Sequence, residues 1–226
     1  MVATIYSLHN RKSSRIFNCQ AFPNTRSATT LTPGQSILNV VQLADGGRKG
    51  VNLQWGLLPS WCKDRRIASH MINARRETLA KKPAFRSAFR KRCCLIPATG
   101  FYEWQQTPAG KQPHHIHRPD NSLFAFAGLW EHWERETESI YSCTIVTTAA
   151  NPLMQPVHQR MSVIIAAQDY RSWLDKNTSL EDLHSILDRD GYRQLQLTPI
   201  STRVNNPAHN DPGILKAVSL AMDDMA

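Results

Sequence analysis

Three short segments contain the residue types that proton transfer and phosphate binding require. They are Ile-Asn-Ala-Arg-Arg-Glu-Thr at residues 72–78, Gly-Phe-Tyr-Glu-Trp at residues 100–104, and Val-His-Gln-Arg-Met at residues 157–161. Asn73 carries an amide that can orient a reacting group. Glu103 stands between aromatic residues, where loss of hydration raises the pKa of a carboxyl group towards neutrality and suits it to proton transfer. Histidine side chains titrate near neutral pH, so His158 can act as acid or base.

The first and third segments also contain arginines that can hold phosphate. Arg75 and Arg160 each offer paired N–H donors that match phosphate oxygens. Each residue also has an ordinary structural explanation when taken singly. Asn73 is typical of a turn or a helix cap, Glu103 of the solvent-facing position of an alternating strand, and His158 of a structural histidine. Spacing alone therefore leaves a shared catalytic site as a hypothesis.

Positive charge is concentrated in one part of the chain. The 226 residues have a net charge of +9. Residues 63–92 contain eleven Lys and Arg residues, and their only acids are Asp64 and Glu77. A track of this kind favours a polyanionic partner, because each phosphate that is neutralised releases counterions. The alternative is a basic surface that only maintains solubility.

Cysteine and histidine usage predicts no metal and no cofactor. The five cysteines include the adjacent pair Cys93 and Cys94, and the chain has no Cys-x-x-Cys spacing. An odd number argues against a disulfide framework and predicts reduced thiols in a cytosolic protein. Cys93 and Cys94 lie in an apolar run, which favours a place in the core over a thiol peptidase. A metal site would use His114, His115 and His117. Of these, His115 and His117 would share one face of a strand, but no acid or thiol ligand is evidently paired with them.

The N-terminal region is basic and contains no acid before Asp45. Such a segment is typical of an organelle transit peptide and equally of a basic arm. No apolar run follows Met1, and no stretch approaches the roughly 18 apolar residues that a membrane span needs. We expect a cytoplasmic protein, associated with the nucleoid if it is bacterial, with no membrane contact; organelle targeting stays open.

Short strand-like runs outnumber helical segments. The strand-like runs are residues 36–43, 51–55, 93–96, 123–130, 141–147, 163–166 and 194–200. The helical segments are residues 77–92, which Pro83 divides, and residues 167–174 and 180–187, with Asp169 and Ser179 as caps. Strands and helices do not alternate regularly. We therefore expect a single α+β domain with a mostly antiparallel, barrel-like sheet core and flanking short helices.

Several motifs, taken in order, resemble the SOS response-associated peptidase family, the abasic-site shield proteins. The matching pieces are Thr-Pro-Gly at 32–34, Trp-Gly-Leu-Leu-Pro-Ser-Trp at 55–61, residues 72–78, Lys-Pro-Ala-Phe at 82–85, residues 92–97 leading into 100–104, Lys-Gln-Pro at 111–113, His-Gln-Arg-Met at 158–161, and Val-Asn at 204–205. Eight motifs in sequence order are specific, whereas one alone is weak. The chain then divides into a divergent segment, residues 1–30, and a family-like domain, residues 31–226.

The resemblance implies a monomer that acts on abasic sites in single-stranded DNA. Family members expose an N-terminal cysteine, whose amine and thiol close a thiazolidine with the abasic-site aldehyde. Carried onto this chain, Asn73 would position the reacting terminus, Glu103 would move protons, and His158 would assist sugar ring opening or reversal. Arg75 would contact phosphate, and Trp61 falls in the segment that lines the bound strand. The peptidase label is thought to reflect removal of the initiator methionine.

The chain departs from the family pattern at its start. The family begins Met-Cys-Gly-Arg, whereas this chain begins Met-Val-Ala-Thr. Val2 offers an amine that can form a Schiff base but no thiol that would close a ring. Two interpretations stay open. Either the true N-terminus differs from the printed one, or the chain is a divergent member, and in the extreme case a non-covalent binder of single-stranded DNA.

Overall fold

The computed structural model describes residues 16–19, 31–189, 191–192, 194–206, 209 and 211–218. In this part of the chain the strands are β1 (Ser36–Gln42), β2 (Arg48–Trp55), β3 (Asn73–Arg75), β4 (Cys93–Ala98), β5 (Gly100–Thr107), β6 (Gly110–His117), β7 (Phe124–Arg135), β8 (Glu138–Ala149), β9 (Arg160–Ser162), β10 (Ile164–Ile165) and β11 (Gln196–Pro199). The helices are α1 (Pro83–Lys91), α2 (Tyr170–Leu174) and α3 (Leu180–Asp188). Short 3-10 helices cover Arg65–His70, Arg76–Thr78, Ala167–Asp169, Thr202–Asn205 and Pro212–Leu215.

The larger sheet closes into a barrel. Its strands follow the order β10-β7-β4-β1-β2-β8-β3, and β7 also pairs with β8. The path from β7 through β4, β1 and β2 to β8 therefore returns to β7, which leaves no free edge on these five strands. Strand β8 pairs in parallel with β2 and β3, and the other pairings in this sheet are antiparallel.

Side chains of the barrel strands fill its interior. The alternating pattern of β1 and β2 turns Ile37, Val41, Leu53 and Trp55 inwards, because successive residues of a strand point to opposite faces. They pack with Phe124, Phe126, Cys143 and Ile145 in one buried cluster. The barrel strands are recognisable in the sequence because most of their inward-facing side chains are apolar.

The helices cover the outside of the barrel. Helix α1 buries Phe85, Ala88 and Phe89, and Pro83 occupies its first turn, where a missing N–H costs nothing. In α2 the Trp173 indole is fully buried, and its Nε1–H donates to the Cys94 carbonyl oxygen at 2.8 Å. Ser179 caps α3 by accepting a hydrogen bond from the Asp182 N–H. The helices are thus fixed to the barrel by apolar packing and a few directed hydrogen bonds.

A second, three-stranded sheet with the order β11-β6-β5 lies next to the barrel. On one face Phe101 and Ile116 belong to the same buried cluster as the barrel interior. On the other face Tyr102 packs with Ile200, Val204 and Ile214. The central part of this sheet is therefore buried on both faces, whereas Gln106 and Lys111 at the tip of its hairpin are exposed.

The structure confirms the predicted α+β, single-domain, sheet-dominated fold. It corrects three details. The β5–β6 hairpin was absent from the predicted strands, because Gln105, Gln106, Lys111 and Gln112 make its tip read as a loop. Pro83 does divide the predicted helical segment, but only the part from Pro83 onwards is an α-helix, since Arg76–Thr78 form a 3-10 helix. Asp169 stands at the start of α2 but makes no side-chain cap there, since it pairs with Arg189 instead.

Most of the predicted N-terminal segment lies outside the described residues, so the division at residue 30 stays a prediction. Among the described helices, none combines the length and the apolar character that crossing a bilayer takes.

Candidate functional site

Glu103 occupies the middle of β5 and is almost completely buried. Its residue exposure is 2%. Burial raises the pKa of its carboxyl group to about 7, against an opposing hydrogen bond from the Trp104 backbone N–H. Its Oε1 atom has no hydrogen-bond partner among the described residues. A carboxyl group in this state carries a proton on about half of the molecules at neutral pH, which suits general acid and base catalysis alike.

Glu103 opens onto a cavity of about 630 Å³. The cavity is also lined by Trp104, Gln106, Lys111, Val157, His158, Gln159, Arg160 and Asn205. Glu103 and His158 are 55 positions apart in the sequence, yet both line this space. The second and third of the three sequence segments therefore meet at one site.

The tautomer of His158 follows from its neighbour. Its Nδ1 atom lies 2.9 Å from the Arg160 backbone nitrogen and 3.0 Å from the Arg160 carbonyl oxygen. The backbone N–H is a fixed donor, so Nδ1 must accept this bond in the neutral ring. The proton then sits on Nε2. Nε2 of His158, the ring nitrogen farther from the main chain of this residue, is therefore a hydrogen-bond donor.

Arg160 connects two of the segments. Its guanidinium pairs with both carboxylate oxygens of Glu77, at 2.8 and 3.1 Å, and also donates to the Thr147 carbonyl oxygen at 2.9 Å. The Arg160 guanidinium lowers the pKa of Glu77 in return. Arg160 thus lines the cavity as one half of an ion pair, with part of its hydrogen-bonding capacity already used.

Asn73 and Arg75 lie on β3, outside the cavity lining. Strand β3 runs parallel to β8, with Asn73 opposite Ile145 and Arg75 opposite Thr147. The Oδ1 atom of Asn73 is buried and lacks a partner among the described residues. Arg75 is exposed and has no carboxylate partner among the described residues. The Glu77–Arg160 pair joins this segment to the cavity wall.

Trp61 stands apart from the cavity on an exposed loop after β2. Its exposure is 58%, whereas its neighbour Cys62 is buried and accepts a hydrogen bond from the Trp133 indole through its carbonyl oxygen. The loop is shaped by Gly56, which has a φ of +127° and sits so close to Ala68 that a Cβ atom would lie 2.6 Å from the Ala68 carbonyl oxygen. A large aromatic ring on a well-anchored loop is free to stack on a flat ligand.

The basic segment, residues 63–92, divides into paired and unpaired cations. Arg65, Arg66, Arg76 and Arg92 form ion pairs with Glu138, Asp64, Asp188 and Glu131, respectively. Arg75, Arg86 and Arg90 have no carboxylate partner among the described residues, and all three are exposed. Only part of the positive charge counted in the sequence is therefore free to meet phosphate.

The cysteines and the histidines that could have formed a thiol or metal site lie in positions typical of structural residues. All five cysteines are buried and free. Burial raises the pKa of the Cys143 thiol to about 12 and of Cys19 to about 11. The rings of His115 and His117 stack at 4.3 Å on the face away from Glu103. Within the described residues no cluster of three or more His, Cys, Asp or Glu side chains is arranged to hold a metal ion.

Val2 lies outside the described residues. Two further side chains lie beside Glu103, of which sequence reasoning considered one only as a metal ligand and did not single out the other. They are His114, directly opposite Glu103 on β6, and Gln105, whose Oε1 atom lies 3.0 Å from His114 Nε2. The β5–β6 register would have found them, because it puts positions 103 and 114 on one face.

The chain can now be placed among known proteins. A family model described as SOS response associated peptidase (SRAP) matches residues 5–207. The chain belongs to the SRAP family. This membership agrees with the resemblance carried by the eight motifs.

Relatives in the SRAP family are similar over most of the chain. The abasic site processing protein YoqW of Bacillus subtilis is 40% identical over 190 residues, which cover 83% of this chain and 84% of the relative. The abasic site processing protein YoaM of the same organism is 38% identical over 219 residues, 95% of this chain and 96% of the relative. The abasic site processing protein HMCES of Xenopus tropicalis is 29% identical, and the match spans 57% of its length.

Solved structures share the SRAP fold seen here. A crystal structure of a protein from Bacteroides thetaiotaomicron superposes with a TM-score of 0.84 at 23% identity, covering 96% of this chain and 99% of that one. A protein from Bordetella bronchiseptica gives a TM-score of 0.75 at 24% identity and covers 88% of this chain. At these identities the likeness concerns the fold alone.

Proposed function

We propose that this protein processes abasic sites in DNA, as the names of its relatives say of them. More specifically, it binds single-stranded DNA and reacts with the ring-opened aldehyde of an abasic site. The observation that carries the proposal is the cavity where Glu103 and His158 meet. It contains a buried carboxyl group with a pKa of about 7 beside a histidine whose Nδ1 is occupied by a backbone N–H.

The two groups suit the proton transfers of imine formation. An amine attacks the aldehyde carbon, and the resulting carbinolamine loses water to give a Schiff base. The protonated Glu103 carboxyl donates a proton to the departing hydroxyl, and its carboxylate form accepts a proton from the attacking amine. As the sugar ring opens, the bond between C1 and the ring oxygen breaks, the C1 hydroxyl releases its proton to water, and the ring oxygen takes up a proton from water. The Nε2–H of His158 stabilises that oxygen by a hydrogen bond and keeps its own proton. Glu103 accepts one proton from the amine and gives one to the departing hydroxyl, so its carboxyl group ends in the state in which it began.

In a chain expressed from Met1 as printed, the amine is that of Val2 after removal of Met1. Its reference pKa of about 7.7–8.0 leaves a useful fraction unprotonated at neutral pH. Valine has no thiol, and all five cysteines are buried. Burial also raises the pKa of the Cys19, Cys93, Cys94 and Cys143 thiols. The adduct therefore stops at the Schiff base and does not close to a thiazolidine.

The surrounding residues supply DNA contacts. Arg75 is exposed and unpaired among the described residues, and Trp61 presents an exposed indole on which a base can stack. Arg160 orders the cavity wall through Glu77 and retains donor capacity towards a phosphate. Asn73, whose buried Oδ1 has no partner among the described residues, positions the reacting amine.

The test is a denaturing gel of protein mixed with a uracil-excised single-stranded oligonucleotide, with and without borohydride. We expect an adduct that appears only with borohydride, and none on the undamaged oligonucleotide. A heat-stable adduct without borohydride would contradict the expectation that the reaction stops at the Schiff base. It would indicate that a thiol takes part. Binding without any adduct would leave the alternative, a non-covalent binder of single-stranded DNA, which the valine at position 2 favours.

A further inference from the structure

The guanidinium of Arg160 is almost fully engaged within the protein. One donor on Nη1 and one on Nη2 bind the two carboxylate oxygens of Glu77, at 2.8 and 3.1 Å. The second donor of Nη2 is directed to the Thr147 carbonyl oxygen at 2.9 Å. The Nε atom is buried and has no partner among the described residues. Only the second N–H of Nη1 is therefore left for a ligand.

A phosphate group prefers the same paired donors that Glu77 occupies. Phosphate and carboxylate oxygens both match two parallel N–H groups of a guanidinium, and such bidentate pairs add energy and geometric specificity. The edge formed by Nη1 and Nη2 holds Glu77. At the other edge, Nε is buried and Nη2 already donates to Thr147. A phosphate can therefore bind Arg160 bidentately only in the place of Glu77.

The Glu77–Arg160 pair lies beside the exposed Arg75. Arg75 on β3 is opposite Thr147 on β8, and Thr147 is the residue that the Arg160 guanidinium contacts. Neighbouring strands lie about 4.8 Å apart, so a nucleic-acid strand held at Arg75 brings a phosphate close to the pair. Among the ion pairs of the described residues, this is the one whose arginine also lines the cavity.

Glu77 is the partner that can leave. Its side chain is 47% exposed, compared with 26% for Arg160. Glu77 belongs to a 3-10 helix of three residues, whereas Arg160 is also held by Thr147 and by the pairing of β9 with β8. Water can solvate the released carboxylate on this exposed side, and a partly exposed ion pair contributes little to stability. Exchange of Glu77 for another anion is therefore accessible without unfolding.

We propose that Glu77 is a specificity-determining residue, which occupies Arg160 in the free protein and gives up its place to a DNA phosphate when a strand binds. The inference rests on the proposed binding of single-stranded DNA at this site. One anion replaces another on the same two donors, and no covalent bond changes. A free phosphate ion must displace Glu77 unaided, whereas a strand already held at Arg75 presents its phosphate at a high effective concentration. Glu77 thereby favours a polyanionic strand over small anions.

The first test is the affinity of Glu77→Gln for undamaged single-stranded DNA across a salt series, measured by fluorescence anisotropy. An amide holds a guanidinium less tightly than a carboxylate does, so Arg160 becomes available to phosphate. We expect affinity several-fold above wild type at low salt. The slope of log affinity against log salt concentration should be steeper by about 0.7, the value for one further contact on a single strand. An unchanged slope would overturn the proposal.

Two further variants show whether the gain comes from Arg160. Arg160→Gln should bind DNA equally well with and without Glu77→Gln, because no guanidinium is left to release. Glu134→Gln changes the net charge by the same amount as Glu77→Gln but frees no arginine, since Glu134 is exposed on β7 and has no cationic partner among the described residues. Its slope should equal that of wild type. The same steepening in Glu134→Gln would reveal a general effect of charge and refute the exchange.

Inorganic phosphate tests the exchange without DNA. With nitrogen-15 in the arginine side chains, the Arg160 Nε resonance is assigned from its loss in Arg160→Gln and followed at constant ionic strength. Phosphate should half-saturate the shift at a several-fold lower concentration in Glu77→Gln than in wild type. An equal response in both proteins, or none in Glu77→Gln, would refute the exchange. Wild-type protein that binds no single-stranded DNA would refute the proposed function, and the phosphate titration would still decide the role of Glu77.

Discussion

Asn39 in the barrel and Glu103 and His114 on the three-stranded sheet are all buried polar side chains, but they differ in how far their hydrogen bonds are satisfied. Inside the barrel, Asn39 is fully buried and satisfied. Its Nδ2 atom donates to the Ile37 carbonyl oxygen at 3.0 Å and to Cys143 Sγ at 3.5 Å, and its Oδ1 accepts from Cys94 Sγ at 3.3 Å. On the three-stranded sheet, Glu103 and His114 are as deeply buried, yet each retains an atom without a partner among the described residues.

This difference separates a structural polar group from a functional one. A buried group that is satisfied stabilises one arrangement of the core. A buried group that is unsatisfied costs free energy, and the cost is tolerated where a substrate or a proton completes the bonding. Glu103 lines a cavity, whereas Asn39 lies among packed apolar side chains. The following predictions test whether this distinction holds.

Replacing Glu103 with glutamine should have the largest effect on activity. Glutamine has nearly the same size but cannot exchange a proton, so borohydride trapping of abasic DNA should slow by about 10²- to 10⁴-fold. Binding of undamaged single-stranded DNA should change little. Initial rates of trapping measure the loss of activity, and a binding titration measures the affinity for undamaged single-stranded DNA. A variant that traps at the wild-type rate would show that Glu103 is a structural residue after all.

Stability should fall as the pH rises towards neutrality because of the same carboxyl group. Its pKa is about 7 in the fold against 4.5 in the unfolded chain, so the folded state binds more protons between these values. The free energy of unfolding therefore decreases from about pH 4.5 to pH 7, by roughly 3 kcal/mol in total. In Glu103→Gln this component disappears. Denaturant unfolding of both proteins at pH 5 and pH 7.5 measures it, and parallel pH dependences would contradict the assignment.

Replacing Asn39 with alanine should cost stability but not activity. The substitution leaves the Cys94 and Cys143 thiols without their partner and opens a small space in the barrel, which together destabilise by about 2 kcal/mol. The trapping rate at a temperature where the variant is folded should equal that of wild type. Chemical unfolding and the gel assay provide the two readings. A variant with normal stability and impaired trapping would reverse the comparison.

The barrel was accessible to sequence reasoning because its strands carry a continuous apolar face. Strands β1, β4, β7 and β8 coincide with predicted runs to within a few residues. The β5–β6 hairpin was missed because its tip is polar on both faces, so its pairing depends on tertiary contacts of Phe101 and Ile116 with the barrel. Periodicity cannot reveal a strand whose apolar part is only two or three residues long.

The site was accessible only in part for a related reason. Residue types and family resemblance pointed to Glu103 and His158, which the structure brings to one cavity. The partner of Arg160, by contrast, is Glu77, 83 positions away, and no local pattern predicts such a pair. The same holds for the place of His114 beside Glu103 and Gln105, since it depends on strand register.

The distinction between satisfied and unsatisfied groups extends to the basic segment, and here the expected effect is smallest. Arg66 is bound to Asp64 at 2.8 Å, whereas Arg75 is exposed and lacks a carboxylate partner among the described residues. If Arg75 contacts one phosphate, Arg75→Ala should reduce the slope of log affinity against log salt concentration by about 0.7, the value for one contact on a single strand. Affinity should fall several-fold at low salt and converge with wild type at high salt.

Arg66→Ala is the matched control, because a guanidinium already paired with a neighbouring carboxylate releases few counterions when DNA binds. Fluorescence anisotropy of a labelled oligonucleotide across a salt series measures both slopes. Identical slopes for the two variants would mean that an ion pair within the protein does not determine which arginines meet phosphate.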